Sequence, residues 1–163
     1  MGNAVTTGSE LNSLTRTLGM CTLALFIKYV FVLFWSVNMA NHPPEDKPQD
    51  KPQEDKLVDA NSDEAMKRKE RILANDVENI PIHMVLQWAC YLMIVEASDR
   101  DGSSNLVKAL QALVIIYLLG RYGHTLCYAF GLQPWRSIFF IFAQLSALIT
   151  AFLVAYAAFQ VKF

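Results

Sequence analysis

The stretch that decides the fold is RKERILANDVE, residues 68–78. Four of its polar side chains stand at positions i, i+3, i+7 and i+10: Arg68, Arg71, Asn75 and Glu78. At about 100° per residue these positions share one stripe of an α-helix. The chain continues as the apolar run NIPIHMVLQWACYLMIV, which is long enough to enter a bilayer. Ionisable residues at the mouth of a membrane helix are costly, so the stripe is a candidate functional site.

Outside this stretch, the apolar residues fall into blocks rather than being spread evenly. The chain has 163 residues, 53% of them hydrophobic, and the four blocks cover residues 17–39, 72–96, 106–130 and 135–159. Each block is close to the ~20 residues that a spanning helix needs. We therefore predict one all-α integral membrane domain over residues 1–163, built as a bundle of four transmembrane helices. The net charge of −1 gives no indication of a nucleic-acid partner.

Residues 41–67 differ from the rest in being rich in proline and charge, with the repeat DKPQDKPQEDK. We expect a solvated loop, followed by a helix that starts near Ser62 or Asp63. A calcium site is the less favoured alternative, because the carboxylates alternate with lysines and lack EF-hand spacing. Seven of the fourteen basic residues lie in 41–71, so the positive-inside rule places this loop in the cytosol.

The third apolar block also carries polar residues at helical spacing. Four of them stand at steps of 4, 3 and 4: Tyr117, Arg121, His124 and Tyr128. They share one helix face, and an arginine there needs a counterion. We predict Glu78 as the partner of Arg121, with a purely structural ion pair between helices as the alternative. For Tyr117, packing or a hydroxyl bonded to a neighbouring helix is expected.

A tight turn, GLQPW over residues 131–135, leads into the fourth helix, which opens with Arg136 and Ser137. A helix N-terminus with free N–H groups and an arginine is suited to holding an anion. With the long loop in the cytosol, four spans bring this turn, the end of the third helix and the 68–78 stripe to the same membrane face. We therefore predict one anion-binding site at the cytosolic end.

The remaining polar residues of the apolar blocks have simpler interpretations. Lys28 is expected to snorkel or to lie at a subunit contact, His83 to be a core or interface residue, and Gln144 to cross-link helices. The three cysteines show no metal-ligand spacing and are expected to be small core residues: Cys21, Cys90 and Cys127. No metal site is predicted.

At this point the motifs carry a family resemblance. RxxRxxxNDVENIP resembles the RxxRxxxND-[LM]-E-x-I signature of the MAPEG superfamily, the membrane-associated proteins of eicosanoid and glutathione metabolism. MANHPPED resembles that family's FANPED, and GRYGHTLCY and QPWRS followed by AQL resemble its third and fourth helices. The similarity runs from about Ala40 to the end. It is closest to the microsomal glutathione S-transferases and microsomal prostaglandin E synthase.

The resemblance implies a homotrimer, in the endoplasmic reticulum membrane if the source is eukaryotic, with glutathione as co-substrate bound between subunits near the cytosolic face. It also implies a lipophilic second substrate, an electrophile or a lipid hydroperoxide. Carried over by motif, five residues would hold glutathione: Arg71, Asn75, Glu78, His124 and Tyr128. Arg136 with Ser137 would lie against its sulfur as the catalytic pair. Arg68 and Arg121 complete the predicted binding residues as further cations.

Three departures from the family pattern bear on function. No basic run ends the first helix, Ile72–Ala74 lack the His or Arg of synthase-like members, and Phe140 stands where a tyrosine is expected. They favour a glutathione transferase or peroxidase over a prostaglandin E synthase-like isomerase. A non-catalytic lipid-binding scaffold of the same fold is the other alternative, and an unrelated channel subunit with four spans is the most distant one.

Overall fold

The computed structural model describes residues 6–36, 56–98 and 103–161, with the backbone alone from 56 to 66. Four α-helices, and no strands, occur in these ranges: α1 (Gly8–Ser36), α2 (Lys56–Glu96), α3 (Ser103–Ala129) and α4 (Trp135–Gln160). The predicted all-α architecture, with four helices in the predicted order, is confirmed.

The N-terminal part of α2 differs from the prediction. The helix begins at Lys56, so the expectation of a loop over 41–67, with a helix start at Ser62 or Asp63, is wrong for residues 56–67. The physical reason is local composition, because residues 57–67 contain no proline or glycine and include Leu, Ala, Glu, Met and Lys residues, which favour helix. The repeat and the alternative calcium site lie mainly at 41–55, outside the described residues.

Three of the four helices, α1, α3 and α4, are long and apolar enough to cross a membrane. α2 is not among them, although the sequence predicted four spans. It packs against α1, α3 and α4 and carries polar side chains on its buried face, including Asp76, His83 and Gln87. These inward polar groups lower its mean hydropathy, so α2 is the polar core helix of the bundle.

One end of the bundle joins the N-termini of α1 and α3. The Thr6 backbone N–H donates to Ser103 Oγ at 2.8 Å, and Ser104 Oγ donates to Glu10 Oε1 at 2.7 Å. α1 and α3 therefore run parallel, and their C-terminal ends lie at the other end of the molecule.

That other end, which we call the turn end, brings the C-terminus of α1, part of α2 and the α3–α4 turn together. Ser36 Oγ donates to the Lys69 carbonyl at 3.3 Å, and Lys69 Nζ lies 5.3 Å from the centre of the Trp35 ring. Arg68 Nη1 lies 3.9 Å from the position that a Cβ on Gly131 would take. Gly131 closes α3 as predicted, with a φ of +69° that favours glycine.

The polar face of α2 contacts all three of the other helices. Asp76 pairs with both Lys28 of α1 and Arg121 of α3, and all three side chains are buried. The expected pairing of Arg121 with Glu78 is therefore wrong, and so is the expectation that Lys28 snorkels or lies at a subunit contact. Glu78 is two residues from Asp76, about 200° around the helix, so it faces outward and is exposed.

Further along α2, Asn79 accepts a hydrogen bond from Gln144 Nε2 through its side chain and one from Tyr117 Oη, at 2.9 Å, through its carbonyl. The Tyr117 ring stacks on His83 with centroids 3.4 Å apart. Gln87 Nε2 donates to Thr22 Oγ1 at 3.2 Å. The predictions for Gln144, for the Tyr117 hydroxyl and for His83 as a core histidine are confirmed.

The cysteines are also placed as predicted. All three are free and buried within the bundle: Cys21, Cys90 and Cys127. They contribute small apolar side chains to the core.

Replacing Asp76 with asparagine tests the buried ion cluster. The Asp76→Asn variant leaves Lys28 and Arg121 as two buried cations without a counterion. Removing one member of a buried ion pair costs about 3–5 kcal/mol. We expect a large fall in the midpoint of thermal unfolding, measured on detergent-purified protein.

Glu78→Gln is the matched control, because it removes a carboxylate two residues away from an exposed position. Its stability should stay within about 0.5 kcal/mol of wild type. Equal destabilisation by the two substitutions would contradict the assignment of Asp76 as the counterion.

Candidate functional site

The predicted catalytic residue, Arg136, lies in the first turn of α4. Its guanidinium carbon is 4.5 Å from the centre of the Tyr128 ring, a cation–π contact between α4 and the end of α3. No side chain caps the N-terminus of α4. Among the described residues, no carboxylate lies within ion-pair distance of Arg136. Arg136 therefore places a half-buried cation at the positive end of the α4 dipole.

His124 extends this cluster along α3. The side chain is buried, and its ring centroid is 5.7 Å from those of both Tyr128 and Phe140. Its Nδ1 atom is buried and has no hydrogen-bond partner within the described residues. We call Arg136, Tyr128, His124 and Phe140 the Arg136 cluster. It provides a cation, a phenol and an imidazole at the turn end.

Ser137, the other predicted catalytic residue, follows Arg136 directly and is exposed. Its backbone N–H donates to the Pro134 carbonyl at 2.9 Å, which fixes the first turn of α4. Its hydroxyl is open to solvent or to a ligand beside Arg136.

The 68–78 stripe lies on the outer side of α2. Arg71 and Glu78 are exposed, while Asn75 is half-buried with an Oδ1 atom that is buried and without a hydrogen-bond partner. Arg68 is also exposed, and it reaches the α3–α4 turn at Gly131. The structure thus brings the stripe to the turn end of the bundle. Within one subunit it does not bring Arg71 or Glu78 into ion-pair contact with the Arg136 cluster.

Arg121 differs from the other predicted binding residues in having no exposed surface. Its Nη2 donates to the Asp76 carboxylate and, at 3.1 Å, to the Asn75 carbonyl. The alternative interpretation, a structural ion pair between helices, is confirmed with Asp76 as the partner. Its Nε and Nη1 atoms make no hydrogen bond within the described residues, and contact with a ligand stays a prediction.

Sequence reasoning missed Asp76, Asn79 and Lys28 as the groups that hold the site in place. A signal was present, because four polar residues of α2 follow one another at steps of 3, 4 and 4: Asp76, Asn79, His83 and Gln87. That spacing defines a second polar stripe, and a polar stripe inside an apolar run indicates contact with other helices.

A cavity of 230 Å³ lies elsewhere, between α1 and α3, with Lys28, Phe31, Tyr122 and Thr125 among its lining residues. None of the predicted site residues lines it. Nor do the described histidines, cysteines and carboxylates include a group of three that could hold a metal ion.

Together, the apolar helices and the polar cluster at one end define an integral membrane protein of the all-α class. A model described as the MAPEG family matches residues 18–156 of the 163-residue chain. The chain belongs to the MAPEG family, which confirms the resemblance of its motifs. This family includes glutathione transferases and related enzymes. Comparisons with curated proteins and with solved structures found no match.

Proposed function

We propose that the protein is a glutathione-dependent membrane transferase or peroxidase. In this proposal the glutathione thiolate forms at the turn end and attacks a lipophilic electrophile or a lipid hydroperoxide. One observation carries the proposal: Arg136 is held over the Tyr128 ring at an uncapped helix N-terminus, with no carboxylate of the described chain to neutralise it. Such a cation is available to an anionic ligand.

Glutathione has charged and hydrogen-bonding groups that complement those of the turn end. Its two carboxylates suit the exposed guanidinium of Arg71, which can form paired hydrogen bonds with a carboxylate. Its ammonium suits the exposed carboxylate of Glu78. Its amide N–H groups suit the buried Asn75 Oδ1, which accepts no hydrogen bond from any residue that the structure describes.

The reaction would depend on the state of the sulfur. A free thiol has a pKa of about 8.5, and a neighbouring cation or helix N-terminus lowers that value. Arg136 and the start of α4 would act together on a thiol beside them, with the Ser137 hydroxyl as a hydrogen-bond donor. The thiolate is the nucleophile that displaces a leaving group from an electrophilic carbon or attacks a peroxide oxygen.

The exposure of Arg71 and Glu78 supports assembly as a homotrimer. Arg71 and Glu78 lie on an outer face of α2, apart from Arg136. A neighbouring subunit would cover that face and complete a pocket between subunits. We place the protein in the endoplasmic reticulum membrane if its source is eukaryotic, with the turn end toward the cytosol.

Replacing Arg136 tests the thiolate. Arg136→Leu should weaken glutathione binding modestly and lower kcat by about two orders of magnitude, the scale seen when one electrostatic donor is removed. The ultraviolet absorbance of the bound thiolate should fall in parallel.

The control for this variant is Arg16→Leu, an equal change at an exposed position of α1 toward the opposite end. It should keep wild-type turnover. Thiolate absorbance and kcat near wild type in Arg136→Leu would overturn the role of Arg136. No calorimetric binding of glutathione at millimolar concentration would favour a non-catalytic lipid-binding scaffold instead.

The proposed homotrimer is tested by measuring the mass of the assembly. Native mass spectrometry of the detergent-solubilised protein should give a dominant species of three chains, because a neighbouring subunit would cover Arg71 and Glu78 on the outer side of α2. A spectrum with only monomers would contradict a site between subunits.

A further inference from the structure

α3 and α4 are in close contact at two glycines of α3. A Cβ on Gly123 would lie 2.5 Å from Cδ1, 2.6 Å from Cε1 and 2.7 Å from Cγ of Phe139. A Cβ on Gly120 would lie 3.1 Å from the Ala143 Cβ and 3.2 Å from the Phe139 carbonyl oxygen. Non-bonded carbon atoms attract each other best at about 3.5–4.0 Å, so the Phe139 ring occupies space that only glycine leaves at position 123.

This contact lies next to the Arg136 cluster on both helices. Phe139 is three residues after Arg136, so the two share a face of α4 one turn apart. Gly123 precedes His124 on α3, and Phe140, which follows Phe139, lies beside the His124 ring. How closely the Phe139 ring packs against Gly123 of α3 therefore determines the distance between the first turn of α4 and Tyr128.

The contact is also rigid. The ring edge against Gly123 includes Cγ, and rotation about χ2 leaves Cγ in place. A change in χ1 is restricted in a helix, where one of the three staggered positions clashes with the preceding turn. Added volume at position 123 would therefore move α4 away from α3.

We propose that Gly123 and Phe139 are positioning residues that set the placement of Arg136 over Tyr128, and thereby over the glutathione sulfur. This inference rests on the proposed function of Arg136 and deepens it. Neither residue needs to touch glutathione, since each acts by setting the position of α4 against α3.

Gly123→Ala is the test substitution. A misplacement of about 1 Å in a catalytic group can cost about a hundredfold in rate. We expect kcat to fall by about ten- to a hundredfold, with a much smaller change in the KM for glutathione, because Arg71 and Glu78 stand on α2. Activity is measured well below the unfolding midpoint of each variant.

Two further variants serve as the control and the rescue. Gly19→Ala is the matched control, since a Cβ at Gly19 meets nothing within 4 Å. It should leave kcat unchanged. The double variant Gly123→Ala, Phe139→Ala removes the ring that clashes and should recover part of the lost kcat, because the clash is relieved although the packing of the ring is also lost. Loss of activity in Gly123→Ala without recovery in the double variant would overturn the proposal.

A readout without glutathione separates this inference from the proposed function. The ring current of Tyr128 should shift the side-chain proton resonances of Arg136 upfield, and Gly123→Ala should reduce that shift. Phe139→Leu, which adds no atom to α3, should also change the upfield shift of the Arg136 protons. This variant replaces Gly123→Ala in the experiment if Gly123→Ala does not fold. Resonances that match wild type in both variants would overturn the positioning role. Failure of wild-type protein to form a glutathione thiolate would instead reject the proposed function.

Discussion

The structure depends on one buried carboxylate. Asp76 lies on the inner face of α2 and pairs with a lysine of α1 and an arginine of α3, all three side chains being buried. Charges in a membrane interior are tolerated when they face the bundle and pair with one another. Two cations and one carboxylate can satisfy this condition only if α2 stands between α1 and α3. The buried polar side chains that make α2 less apolar than the other helices therefore also fix its position in the bundle.

The same interaction connects the core of the bundle to the candidate site. Arg121 binds the Asp76 carboxylate and also the backbone carbonyl of Asn75, whose side chain belongs to the outer stripe. α2 carries Pro81 in this region, and a proline removes one backbone donor from the helix. Tyr117 donates to the carbonyl of Asn79, so side chains of α3 bind two backbone carbonyls of α2 at the C-terminal end of the stripe. The outer residues are thus presented by a helix that is held firmly from inside.

Membership of the MAPEG family gives this geometry a chemical context. The Arg136 cluster contains a cation and an uncapped helix start, both suited to an anion. It also contains Phe140 where the resemblance leads one to expect a tyrosine, so no hydroxyl is present at that point beside His124. In the proposed function, a site that retains the cation and lacks that hydroxyl would form a thiolate without the additional proton handling of an isomerase. This is the physical basis for favouring a transferase or peroxidase.

The sequence by itself determined the four helices, their order, the glycine that closes α3 and the gathering of the polar clusters at one end. These follow from the lengths of the apolar blocks and from helical spacing, both of which are local properties. Only the tertiary structure decided that Asp76, and not Glu78, neutralises Arg121, and that Phe139 fills the space left by Gly123. α2 carries two polar stripes, and spacing alone does not give the rotation of a helix about its own axis. That rotation is set when α1, α3 and α4 pack around α2 and the buried charges find their counterion.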